Sequence, residues 1–148
     1  MSDPLRTLAD YELFLYTLAE QFKSVRHSTV ILVRRGASLA RVSGEIHFDK
    51  GFRMVLLERI LADRLPAVIE AYGYEIWRGQ EKLCWYDCQP HPEDLALASN
   101  HPHHKHIPPD LKNHRVPAPE MSFTRPNLPR LIAEIEAVLA KEVGYPTI

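Results

Sequence analysis

From Thr7 to Lys23 the apolar positions Leu8, Tyr11, Leu15, Leu18 and Phe22 recur at spacings of three and four, which predicts an amphipathic helix with one buried stripe. Pro4 and Thr7 suit its start, and Phe14 widens the stripe. The period then changes. Five runs, Thr29 to Arg35, Leu39 to Phe48, Phe52 to Leu61, Ala67 to Trp77 and Lys82 to Cys88, are rich in Val, Ile, Leu and aromatic residues and predict strands. The connectors RGAS at 35–38, DKG at 49–51 and RGQE at 78–81 are too short for a parallel crossover, so neighbouring strands should be antiparallel. Val42, Gly44, Ile46 and Phe48 share one face of the second run while Arg41, Ser43, Glu45 and His47 share the other, giving the sheet a dry side and a wet side. Gly44 leaves a gap in the dry row and predicts a bulge or the close approach of another element. Between Ile60 and Glu70 the signals conflict: Pro66 opposes an uninterrupted central strand, and a short helix around Ala62 to Arg64 fits as well.

Between Gln89 and Asn127 lie eight of the twelve prolines and six of the eight histidines, so a long loop without regular structure is expected there. Asn127 then suits the cap of a second helix, with Pro129 in its first turn and Leu128, Leu131, Ile132, Ile135, Val138 and Leu139 as its apolar stripe, ending near Gly144 and Pro146. The order predicts an α+β fold, a curved antiparallel meander of about five strands with an N-terminal and a C-terminal helix on one face, as one domain over residues 1–148. An open meander leaves two edges, and homodimerisation through one of them is an option.

Composition bounds the function. With 148 residues, 45% hydrophobic and 25% charged, the chain can bury a real core. It has no run of about 18 apolar residues and its start lacks an export pattern, so no membrane partner is expected and the expected location is cytoplasmic. A net charge of −1 means that a polyanion partner must be held by a local patch. Cys84 and Cys88 lie in one strand-like run, roughly 13 Å apart between Cα atoms, too far for a disulfide. There is no Gly-rich phosphate loop, no GxGxxG and no GxSxG, which disfavours common nucleotide hydrolysis and α/β-hydrolase chemistry.

The candidate chemistry sits in NHPHHKHIPPDLKNHR, where His101, His103, His104, His106 and His114 stand beside Lys105, Lys112 and Arg115. In extended chain, His104 and His106 would project to one side and His101 and His103 to the other. Three explanations stand side by side. One is metal-independent acid–base cleavage of a phosphodiester, with imidazoles moving protons and Lys105 or Arg115 holding the phosphate. The second is metal ligation, zinc being the natural ion, by His101, His103, His104 and His106, with Asp87, His91, Glu93 and Asp94 as further candidates. The third is structural, with solvated histidines in a Pro-rich loop. Tyr74, Trp85 and Tyr86 on adjacent strands could stack on bases, although core packing suits most of them better. Glu58, on the side of Met54 and Leu56, and Asp87 at a strand end are either ion-pair partners or orienters of a nearby His.

The order of these features resembles a known family. A helix with Tyr11 and Leu18, then STVILVRR, V-x-G-x-I-x-F with a following Gly51, a strand bearing Glu58, YGYE, a W-Y-D strand and PHHKH at Pro102 to His106 are similar to the TumE-like toxins of toxin–antitoxin pairs. The match runs from about Tyr11 to His106. The resemblance implies a small growth-inhibiting protein bound and neutralised by a cognate antitoxin, and it points to Glu58, Tyr74, Asp87, His103, His104, Lys105 and His106. Trp85 departs from the family, where an Arg is expected before Tyr86. The leading expectation is a toxin acting on RNA as a ribonuclease, with His103, His104, His106, Lys105, Glu58 and Asp87 as its acid–base set. Tyr74, Trp85, Tyr86 and Arg115 would contact the substrate. The rival is a non-catalytic regulatory protein whose loop holds a metal or a protein partner.

Overall fold

The computed structural model describes residues 3–141. The first helix begins where expected, with Thr7 Oγ1 accepting from Asp10 N at 3.0 Å. It does not run through to Lys23. It divides into α1 (Leu8–Tyr16) and α2 (Leu18–Gln21) at Thr17. The Thr17 hydroxyl donates back to the Leu13 carbonyl at 2.8 Å, and Gln21 Nε2 donates to the Phe14 carbonyl, so side chains replace the backbone ladder at the bend. Leu8, Tyr11, Leu15 and Leu18 are all buried, as their spacing requires.

The sheet is antiparallel throughout and not closed, and it has eight strands, not five. They are β1 (His27–Ser28), β2 (Ile31–Arg35), β3 (Leu39–His47), β4 (Phe52–Leu61), β5 (Val68–Arg78), β6 (Glu81–Asp87), β7 (His104–His106) and β8 (Arg115–Pro117). From β3 to β8 the spatial order follows the chain, with β1 and β2 both on the outer side of β3. The extra strands have two origins. The first predicted run is interrupted opposite Gly44, where a Cβ would lie 2.7 Å from the Thr29 carbonyl oxygen and φ is +141°, so the close approach read from the sequence is that of the edge backbone. The segment after Gln89 is not irregular throughout, because β7 and β8 extend the sheet there and a 3₁₀ turn covers Leu95–Asn100. No helix forms over 62–67, where the chain turns between β4 and β5.

Alternation along β4 buries Phe52, Met54, Leu56, Glu58 and Ile60, and the same face carries Tyr74 and Ile76 of β5 and Cys84 and Tyr86 of β6. Both helices lie on this face. Tyr11 of α1 reaches Glu58, and Glu134 of α3 (Leu128–Ala140) reaches Tyr86. Asn127 is no side-chain cap for α3. Its Oδ1 accepts from Ser122 N, and its Nδ2 donates to the Tyr74 hydroxyl and the Ser122 carbonyl, which ties the entry of the helix to the sheet. The helix end expected near Gly144 and Pro146 lies outside the described residues. Both cysteines are free. Among the described residues no helix is long and apolar enough to cross a membrane.

The Gly44 contact gives a direct test of the edge packing. Gly44→Ala must push the Thr29–Val30 backbone away while holding a positive φ, and urea unfolding is expected to show a loss of about 2–3 kcal/mol.

Candidate functional site

The β6–β7 ladder decides which chemistry-bearing side chains meet. Asp87 pairs with His104 and Trp85 with His106, and residues directly opposite in an antiparallel pair share a face. Asp87, His104 and His106 therefore converge on the side of the sheet away from the helices. His104 Nε2 lies 2.7 Å from Asp87 Oδ1, His106 Nε2 lies 3.3 Å from Asp87 Oδ2, and the two Nε2 atoms are 3.1 Å apart. Each residue offers a ligand atom within 4.8 Å of the others. Both imidazoles are buried.

The surroundings fix each ring. His104 Nδ1 is 3.0 Å from the Pro102 carbonyl and His106 Nδ1 is 2.6 Å from the Leu111 carbonyl; a carbonyl only accepts, so both Nδ1 atoms carry hydrogen. The Trp85 ring stacks on His106 with centroids 3.7 Å apart, and His91 stands edge-on to His104 at 5.0 Å. Asp87 accepts from Trp85 Nε1 at 2.8 Å and from Gln89 N at 3.0 Å. Burial holds the His106 pKa below the usual imidazole value, against the opposing pull of the Leu111 carbonyl and Asp87. Such a cluster can exchange protons with a hydroxyl, or it can ligate a cation.

Not every residue singled out from the sequence joins this cluster. Lys105 does not: strand alternation sends it to the helix face, its Nζ 5.1 Å above the Tyr86 ring and 3.8 Å from Glu134. His101 is exposed, so the His101, His103, His104, His106 ligand set does not form. His103 turns to Tyr72, sharing a 2.7 Å hydrogen bond through Nδ1 and packing against Phe123; burial foremost, and His104 second, lower its pKa. Glu58 faces the helices, fully buried, and accepts from Tyr11 at 2.6 Å and Tyr74 at 2.5 Å. Tyr74 and Tyr86 are buried in the core, which closes them to stacking on bases, and one face of Trp85 is covered by His106. Arg115 is on the side of the cluster, opposite His106, and its buried Nε has no hydrogen-bond acceptor among the described residues.

Sequence reading missed the approach to the cluster. A cleft of about 620 Å³, lined in part by Arg35, Arg41, Arg59, Leu57 and Gly73, shares Ala71 and Tyr72 with a second cleft of about 520 Å³ that reaches Asp87. Gly73 pairs with Leu57 on one side and Asp87 on the other, and a Cβ there would meet nothing within 4 Å, so the floor beside the cluster is left low. The available signal was a glycine inside a strand, with arginines at wet-face positions of the strands beside it.

The sequence profile of the family described as Toxin TumE matches residues 15–139, most of the chain and all eight strands, together with α2, nearly all of α3 and the last two residues of α1. The chain belongs to the Toxin TumE family. Neither the curated proteins nor the solved structures include a match to it. The match of this TumE-family chain begins after Tyr11, where the resemblance read from the sequence starts, and runs past His106, where it ends, to include the first turns of α3 and beyond.

Glu58 lies on the face of this TumE-family sheet opposite the cluster. Burial raises the Glu58 pKa, against the two tyrosine hydrogen bonds. The folded chain therefore holds a proton there that the unfolded chain releases, and stability should fall as pH rises from the ordinary glutamate value through the raised one. Glu58→Gln is expected to flatten that part of a stability–pH profile measured by urea unfolding. Glu58→Ala, which strands two buried hydroxyls, should cost about 2–4 kcal/mol below the ordinary glutamate pKa and less as pH rises through the raised one.

Proposed function

We propose that this TumE-family chain is a growth-inhibiting toxin that cleaves RNA at the Asp87–His104–His106 cluster and is neutralised by a cognate antitoxin protein that binds it. The observation that carries this reading is the convergence of those three side chains, with Asp87 lining a cleft that adjoins a second one bordered by arginines. RNA suits the arrangement because it brings its own nucleophile. One imidazole Nε2 draws the proton from the 2′-hydroxyl as its oxygen bonds to phosphorus. The bond to the 5′-oxygen breaks and that oxygen takes a proton from the other, protonated imidazole, while fixed cations offset the charge on the phosphate oxygens. Arg115, on the cluster's side of the sheet and opposite His106 in the ladder, fits the role of such a cation better than Lys105, which faces the helices. The net charge of −1 leaves no general attraction for a polyanion, so the local arginines must supply it.

Induced expression of the wild type should arrest growth, and the purified protein should cut single-stranded RNA. His104→Ala and His106→Ala are each expected to lower the cleavage rate by about 10²-fold or more and to relieve arrest, with circular dichroism unchanged. Full activity in both variants eliminates this assignment. Arg41→Ala combined with Arg59→Ala should weaken RNA binding and make the slope of log K against log salt shallower by about 1.4, the change expected for two lost contacts to a single strand. An unchanged slope would place the RNA elsewhere.

A further inference from the structure

We infer that Asp87, His104 and His106 form a binding site for one divalent first-row transition metal ion. The argument starts from what each group does with its other atoms. Both Nδ1 atoms are committed as donors to carbonyls, Pro102 at 3.0 Å and Leu111 at 2.6 Å, which leaves each Nε2 of a neutral ring as a bare lone pair. The Asp87 carboxylate is held by Trp85 Nε1 and Gln89 N. Every polar atom that points outward from the cluster is thus satisfied, and the atoms that point inward are all acceptors. Acceptors 2.7, 3.1 and 3.3 Å apart in a buried setting repel one another until something positive sits between them.

A proton on one Nε2 would satisfy one pair and leave the third acceptor facing the others. A cation satisfies all three. The spacing fits: bonds of about 2.1 Å to imidazole nitrogen and carboxylate oxygen put neighbouring ligand atoms about 3.0–3.4 Å apart, so only the 2.7 Å contact has to open slightly. Nitrogen ligands select against magnesium and calcium, which take oxygen shells, and the combination of two histidines with one carboxylate is a set that leaves coordination positions open. The carbonyls behind each ring and the indole behind the carboxylate are the outer partners that orient such ligands. The Trp85 ring at 3.7 Å keeps His106 from turning away. Asp87 is 19% exposed at its side chain and lines the cleft, so the open positions face the path by which a substrate would arrive.

This inference rests on the RNA-cleavage reading only for its purpose and changes its chemistry: with both Nε2 lone pairs on the ion, the ion in place of a free imidazole would act at the reacting phosphate, and the inference itself stands on the ligand geometry alone. The test uses the full chain made without a histidine tag, stripped with chelator and titrated calorimetrically with zinc, manganese and cobalt chlorides. At least one of the three should bind at one equivalent, and Asp87→Asn, which keeps the shape of the side chain, should weaken binding tenfold or more. The double variant His101→Ala/His114→Ala, changed only at exposed positions, should bind as the wild type does. X-ray absorption of the zinc-loaded wild type should show two imidazole nitrogens in the first shell, which keeps the idea testable if the buried histidine variants do not fold. A folded wild type that takes up none of the three ions, or an absorption shell without imidazole, overturns the inference. Metal uptake without RNA cleavage would sink the ribonuclease reading and leave the site standing; RNA cleavage by a wild type that takes up none of the three ions would do the reverse.

Discussion

Pairing of β7 with β6 is the constraint on which the functional part of this molecule depends. Three residues of a Pro- and His-rich segment add to the sheet, and strand alternation then sorts their side chains: His104 and His106 to Asp87 on one side, Lys105 to Tyr86 and Glu134 on the other. Backbone hydrogen bonds to β6 fix the register, and a slip of one residue would exchange the imidazoles for the ammonium. The stacking of Trp85 on His106 adds a side-chain lock to the same register. A cluster built on a strand pair is held more firmly than one carried by a free loop.

The sheet separates two kinds of polar chemistry. On the helix face, Glu58, Tyr11, Tyr74 and Asn127 form a closed set in which the hydroxyls find the carboxylate and the amide finds the Tyr74 oxygen. That set joins α1, β4, β5 and the entry to α3, so its role is to fix how the two helices sit on the sheet, a buried network with its members satisfied. On the other face the Nε2 atoms of His104 and His106 and the Asp87 carboxylate face one another, with both Nδ1 atoms already engaged by carbonyls. The first arrangement is what a core needs, and the second is what a site needs.

The route to that site depends on small residues. Ala71 and Gly73 keep the middle of β5 low on the outer face, and the arginines of β3 and β4 rise beside it, so the cleft and the cluster belong to one surface. The match to the Toxin TumE family spans all eight strands, and the antiparallel meander is what makes the strand bearing Asp87 the neighbour of the histidine strand.

The periodicity of the chain was enough to establish four strand runs and most of the first, the buried positions Leu8, Tyr11, Leu15 and Leu18 and Leu128, Leu131, Ile132 and Ile135, the dry face containing Val42 and Ile46, and the crowding opposite Gly44, because all of these follow from local alternation and the size of single side chains. It also made Asp87, His104 and His106 candidates. It did not determine that β7 and β8 exist, that Lys105 and His103 leave the cluster, or that Tyr74 and Tyr86 are closed to a ligand. Those outcomes turn on which distant segment supplies the pairing partner and which face is then covered. A three-residue strand has almost no propensity of its own; the sheet edge it joins decides its register, and the register decides its chemistry.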